Sequence, residues 1–282
     1  MTIPSALRLL EDVSKDAECD ERRSRNSDQM LVDLATLGED LVRDIRAQPG
    51  AERTETLCEG WTVRDVVLHL VVGDDLTTRA LHGENCFEKT TSDETYLEGL
   101  GRANVSAVGD LTLSESLQLF TESRARLLEV ARTFSPADLG VKVPWAAGSI
   151  ARFSALQARV METWIHAWDI RHPLDIAHPL DDRAWWVNDL GVRTFPYALH
   201  KNAKELDQSR LRVQLQGVGG GTWDRVITRS DSESTVSVTC PTWAWLTLVS
   251  RRHLRSLIGT GDIETSPPQS RDIVLEVARA FA

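Results

Sequence analysis

From Met30 onward the segment LVDLATLGEDLVRDI places apolar residues at helical spacing, and Gln48-Pro49-Gly50 stops the run. A second helix is predicted over GWTVRDVVLHLVVGDDLTTRAL to about Leu81, with Thr62 and Asp65 spaced as a capping box. Leu113, Leu117, Phe120, Leu127, Leu128 and Val130 mark a third, ended by SPADLG at 135–140. A fourth is expected to begin near Gly148 or Ser149 and to run through METWIHAWDI until His172-Pro173 stops it. The polar stretch from His82 to Asp110 is expected to hold a short helix around 94–100. Four long helices predict an antiparallel bundle.

Past Pro179 the period changes. RLRVQLQGVGGGTWDRVITR and ESTVSVTC alternate apolar and polar residues, separated by a glycine-rich turn and by DSES. The helical segments TWAWLTLVSRRHL and SRDIVLEVARAFA complete this part. The expected fold class is therefore α+β: a four-helix bundle over residues 29–178, then a small α+β domain over 179–282. Residues 1–28, charged after a short apolar SALRLLEDV turn, are expected to be an N-terminal arm.

Composition narrows the function classes. With 42 acidic against 32 basic side chains the net charge is −10, which repels a phosphate backbone unless basic residues cluster. Only ERRSR at 21–25 and SRRH at 250–253 are compact basic runs, so nucleic acid is not expected as a partner. The longest apolar run, VVLHLVV at 66–72, is too short for a bilayer, and no secretory segment follows Met1; no membrane partner is expected. Cys19, Cys58, Cys86 and Cys240 form neither a CxxC pair nor a disulfide framework, and none lies in a recognised nucleophile context, so a reducing cytoplasm is expected.

Chemistry concentrates in METWIHAWDI. Spacings of four and seven residues put Glu162, His166 and Asp169 within roughly 60° of arc on one helix face. Leu156, Val160, Met161, Trp164, Ile165, Trp168 and Ile170 spread around the rest, so this helix is expected to be buried, and its ionisable groups must be paired, neutralised or metal-bound. His69 is the only polar residue of VVLHLVV. If the second and fourth helices face each other, His69, Glu162 and His166 offer two imidazoles and a carboxylate to a divalent ion, with a position left open, and Asp169 is placed to fix a ligand tautomer. A hydrogen-bonded network without metal satisfies the same periodicity, and the two readings stay open at this level. Trp164, Trp168, Trp185 and Trp186 read as packing, GVGGG at 217–221 as a hairpin turn, and Asp74 and Asp75 as groups lining the cleft or simply solvated.

TLCEGWTVRDVVLHLVVGDD at 56–75 together with METWIHAWDI at 161–170 resembles the DinB-like superfamily, in its mycothiol-dependent maleylpyruvate isomerase branch. Members show Gly-Trp-Thr-x-Arg-Asp leading to a helical His, then Glu-Thr-Trp-x-His-x-x-Asp on the fourth helix. The likeness extends weakly over residues 30–282, including GVRTFPYAL at 191–199. The resemblance implies a divalent metal, usually zinc, held by His69, Glu162 and His166. It also implies a C-terminal domain like sterol carrier proteins, and mycothiol as the low-molecular-weight thiol. The arginine that handles an anionic substrate in that branch has its nearest counterpart in Arg251, beside Arg252; the same Arg-Arg-His stretch also reads as a solvated helix face.

The expected function is a metal- and mycothiol-dependent enzyme acting on a small molecule, by thiol transfer or by thiol-assisted isomerisation, with Asp169 and Arg251 assisting. Two alternatives keep the same residues: a metal-dependent hydrolytic, cyclising or other Lewis-acid tailoring enzyme without a thiol, and a non-catalytic small-molecule binding protein. Two His and one carboxylate also suit a non-haem iron centre.

Overall fold

In a computed structural model of the 282-residue chain, the described residues are 17–86, 111–145, 148–202, 204–227, 234–250 and 262–278. They form a mixed α+β protein whose chain divides into two units, one spanning Glu18–His178 and the other built on Pro179–Ala282. No helix among the described residues is long and apolar enough to cross a membrane. The short helix expected around 94–100 lies outside the described residues.

Helix α1, Ala17–Arg46, starts well before Met30. Its first turns, AECDERRSRNSDQ, include the helix formers Ala, Glu and Arg but carry no apolar stripe, so hydrophobic periodicity is blind to them. Helix α2, Val63–Leu81, begins at the expected capping box. Thr62 Oγ1 accepts from the Asp65 N–H at 3.4 Å, and the Thr62 N–H donates to the Asp65 carboxylate at 2.9 Å. Thr112 and Glu115 repeat the device at the start of α3, Leu113–Arg132, and the SPADLG stop contains a one-turn helix α4, Pro136–Leu139.

The fourth long helix starts later than expected. Residues Gly148–Ala151 form a strand, β2, paired antiparallel with β1, Lys142–Trp145, and only then does α5 run from Arg152 to Arg171. Gly148, at φ 116°, opens that strand in a conformation a helix does not use, and VKVPW supplies its β-prone partner.

Leu41, Val42 and Ile45 of α1, Val63, Val66, Val67 and Leu70 of α2, Leu117 and Phe120 of α3, and Ala167 and Ile170 of α5 form one core cluster. Burying each large aliphatic side chain contributes about 1.5–3 kcal/mol, which holds these helices to a common core. Deeper along the same helices sits an ion triad. Asp74 of α2, fully buried, accepts from Arg124 of α3 at 2.7 Å and from Arg159 of α5 at 3.0 Å. Gly73 makes room for it: a Cβ there would stand 2.5 Å from Arg159 Nη1. Asp74 thus neither lines a cleft nor is solvated; it pins three helices.

The second unit holds a four-stranded sheet in the order β4-β3-β5-β6, with β3 Arg210–Gln216, β4 Gly221–Val226, β5 Thr235–Pro241 and β6 Glu264–Ser266. β3 pairs antiparallel with β4 through the expected glycine-rich turn and parallel with β5. Leu211, Val213 and Leu215 alternate inward on β3, as do Val236, Val238 and Cys240 on β5. The unit also holds α6, Ala184–Lys201, α7, Thr242–Val249, and α8, Arg271–Val277. Helix α6 was not read from the sequence, because Pro196 lies inside it as a breaker would.

Candidate metal centre

The first turns of α2 and the second half of α5 carry the titratable cluster. His69 and His166 present Nε2 atoms to the same carboxylate oxygen, Glu162 Oε2, each at 3.3 Å. The two imidazole rings stand edge to face, 4.9 Å between centroids. Chosen one per residue, the ligand atoms of His69, Glu162 and His166 all lie within 4.8 Å of one another. Helices α2 and α5 pack against each other, the condition under which these three side chains were expected to converge. Glu162 is 33% exposed and His69 25%, so one side of the cluster is open to solvent.

Asp169, one turn further along α5 and fully buried, faces the opposite nitrogen of His166, with Nδ1 2.9 Å from Oδ2. That contact places the proton of a neutral His166 on Nδ1, where it donates to Asp169, and leaves a lone pair on Nε2. Nε2 then faces the Glu162 carboxylate, a second acceptor. Two acceptors 3.3 Å apart are stable only with a positive charge between them, either a proton or a metal ion.

Metal geometry suits the gap. An ion with bonds of about 2.0–2.1 Å in a tetrahedral site separates its ligand atoms by roughly 3.3 Å. Both observed N–O separations are 3.3 Å. Two imidazoles and a carboxylate are borderline donors suited to zinc, and three protein ligands leave a fourth position free. His69 is the less supported ligand: its Nδ1 is buried without a hydrogen-bond partner.

The same contacts shift the titrations. Burial alone would lower the His166 pKa, but hydrogen bonds to Asp169, Cys58 and Glu162 outweigh it and hold His166 well above its usual range. Burial would raise Glu162; its hydrogen bonds with His166 and His69 more than offset this and hold it well below the usual carboxylate range. His69 is lowered, chiefly by burial, with Glu162 opposing. Without metal, the two shifts run in opposite directions and both favour the charged pair of Glu162 carboxylate and His166 imidazolium.

One participant escaped the sequence reading. Cys58 Sγ lies 3.2 Å from Asp169 Oδ2 and 3.7 Å from His166 Nδ1. Its position inside TLCEGW, just ahead of the His69 helix, was the only available signal, and spacing does not say where a turn residue points. Trp61 of the same turn stands edge-on to His69, 5.2 Å between centroids. Trp164 and Trp168 lie away from the cluster, against His178, as packing residues do. Arg251 and Arg252 lie outside the described residues.

Residues 32–171 match a family model described as the mycothiol maleylpyruvate isomerase N-terminal domain. Two uncharacterised proteins, from two strains of Mycobacterium tuberculosis, are each 27% identical over 195 residues, covering 68% of this chain and 75% of theirs. Crystal structures of a mycothiol-dependent maleylpyruvate isomerase share the fold. The chain matches one with a TM-score of 0.56 at 17% identity, and that of a histidine-to-alanine variant with 0.57 at 16%. Each match covers 86% of this chain and 93% of the crystallised one. The sequence resemblance is thus borne out, and the helical region that carries the cluster, residues 32–171, belongs to the mycothiol maleylpyruvate isomerase N-terminal domain family.

Proposed function

We propose that the chain is a divalent-metal enzyme, with zinc the expected ion, that acts on a small molecule using mycothiol as its thiol co-substrate. The observation that carries this reading is the shared carboxylate oxygen, 3.3 Å from each of two histidine nitrogens. The family match and the name of the crystallised relatives support the thiol. With the proposal go the finer readings of the fold: a four-helix bundle for the helical unit and a sterol-carrier-like second unit.

His69, Glu162 and His166 would hold the ion, and Asp169 keeps the His166 proton on Nδ1 so that Nε2 is free to ligate. Bound there, the ion supplies a Lewis acid that lowers the pKa of a coordinated thiol and favours the thiolate. Arg251 is assigned to an anionic group of the substrate, for which a guanidinium fork is suited. A thiol that adds to an electrophile and leaves again after bond rotation gives isomerisation. A thiol that stays gives transfer.

Metal quantification on the purified chain tests the centre. Stoichiometric zinc is expected in the parent and none above background in His166→Ala. His69→Ala should retain more, because its ring lacks an outer hydrogen bond. A parent protein that takes up no metal overturns the proposal. Incubating the metal-loaded form with mycothiol and an activated alkene then tests the thiol: metal-dependent consumption or isomerisation is expected, and metal binding without any thiol dependence favours the Lewis-acid alternative.

A further inference from the structure

The turn between Glu55 and Thr62 is tied to α5 at the residue that orients His166. Its backbone is closed by the Glu55–Thr62 bridge and by the Thr56 N–H donating to Trp61 O at 2.9 Å. Thr56 Oγ1 accepts from the Cys58 N–H at 3.2 Å and donates to Trp61 O at 2.9 Å. The Leu57 N–H donates to the backbone oxygen of Asp169 at 3.2 Å. Cys58 is thereby held by its neighbours against the residue its side chain meets.

Asp169 is fully buried, and its Oδ2 stands 2.9 Å from His166 Nδ1 and 3.2 Å from Cys58 Sγ. His166 lies on the same helix as Asp169, whereas Cys58 brings a donor from a separate element and ties the carboxylate to the turn as well as to its own helix. We infer that Cys58 is a positioning residue of the metal centre: its thiol donates to Asp169 Oδ2, and the braced carboxylate orients His166 toward Glu162. A thiol is a weak donor, and a carboxylate oxygen is the acceptor toward which its bond is strongest. Trp61, from the same turn, stands against His69, so this one turn contacts one imidazole directly and the carboxylate behind the other. The inference rests on the proposed metal centre.

Cys58→Ala and Cys58→Ser in the full chain test it, by zinc affinity in chelator competition, by cobalt(II) absorption, and by thermal unfolding of the metal-free protein. Cys58→Ala is expected to weaken zinc binding about tenfold, as loss of an outer partner does, and Cys58→Ser, which keeps an O–H donor, to restore it to within about threefold. The metal-free unfolding temperatures should stay close to that of the parent. Should Cys58→Ala lose its fold, Cys58→Val, which keeps the volume, replaces it in the comparison with Cys58→Ser. Parent-like affinity in Cys58→Ala, or equal weakening in Ala and Ser, overturns the inference while leaving the centre intact. So does a thiolate-to-cobalt charge-transfer band that Cys58→Ser abolishes, because Cys58 would then be a ligand itself. A parent chain that binds no zinc overturns the centre and the inference together.

Discussion

His166 uses both ring nitrogens, one toward Asp169 and one toward Glu162, and its protonation sets the behaviour of the metal-free protein. Its pKa is raised in the folded state, so its stabilising contribution is complete below the unfolded histidine value, roughly 6.5, and is lost as pH rises through the folded value. Glu162 is lowered, so its contribution is complete above the unfolded glutamate value, roughly 4.3, and is lost as pH falls through the folded one. Both are therefore fully present between about pH 4.3 and 6.5. Urea unfolding of the metal-free parent and of Glu162→Gln across pH 4–9 should show the largest difference inside that window. A difference that keeps growing above pH 8 would contradict the assignment. The residues of this cluster were legible because Glu162, His166 and Asp169 repeat at helical spacing. Cys58 was not, because it sits in a turn.

At the scale of elements, the Asp74 triad joins α2, α3 and α5. Arg159 also shares the α5 face of Glu162, one turn earlier, so two of the triad's three helices, α2 and α5, also carry the candidate ligands. Asp74→Ala leaves two buried guanidinium groups against each other with no counter-ion, a class of change that costs about 3–5 kcal/mol. Thr112→Ala, which removes one exposed helix cap, should cost about 1 kcal/mol. Chemical denaturation of both variants checks the contrast, and an Asp74→Ala loss no larger than that of Thr112→Ala would show that the triad does not hold the helices. Helix ends and caps were readable, since Thr62-x-x-Asp65 is a local signal. The β1–β2 hairpin and α6 were not, the one too short to show a period and the other crossed by Pro196.

For the whole molecule, a ligand that binds only the folded chain stabilises it by mass action, about 2.7 kcal/mol at a free concentration 100 times Kd. Zinc should therefore raise the unfolding midpoint, and a chelator should reverse the rise. His166→Ala should abolish the response. An unfolding midpoint that zinc leaves unchanged in the parent would remove the metal from the folded state's energetics. Alkylation offers a second check on the second unit, where burial pushes the Cys240 thiol up to about 12. Iodoacetamide at neutral pH should leave Cys240 unmodified until the protein is unfolded, as mass spectrometry of labelled peptides would show.

By itself the sequence determined the class of fold, the stripe of Glu162, His166 and Asp169 on one helix, and His69 as a candidate partner for them, because helical period and capping chemistry are local and the ligand types are written in the chain. Tertiary structure alone decided which groups stand behind those ligands. Asp74 became an ion-pair hub and Cys58 a neighbour of Asp169 through contacts between residues 50 to 111 positions apart. No periodicity reaches across such separations: helix packing decides which side chains face each other, and the turn's own hydrogen bonds decide where its thiol points.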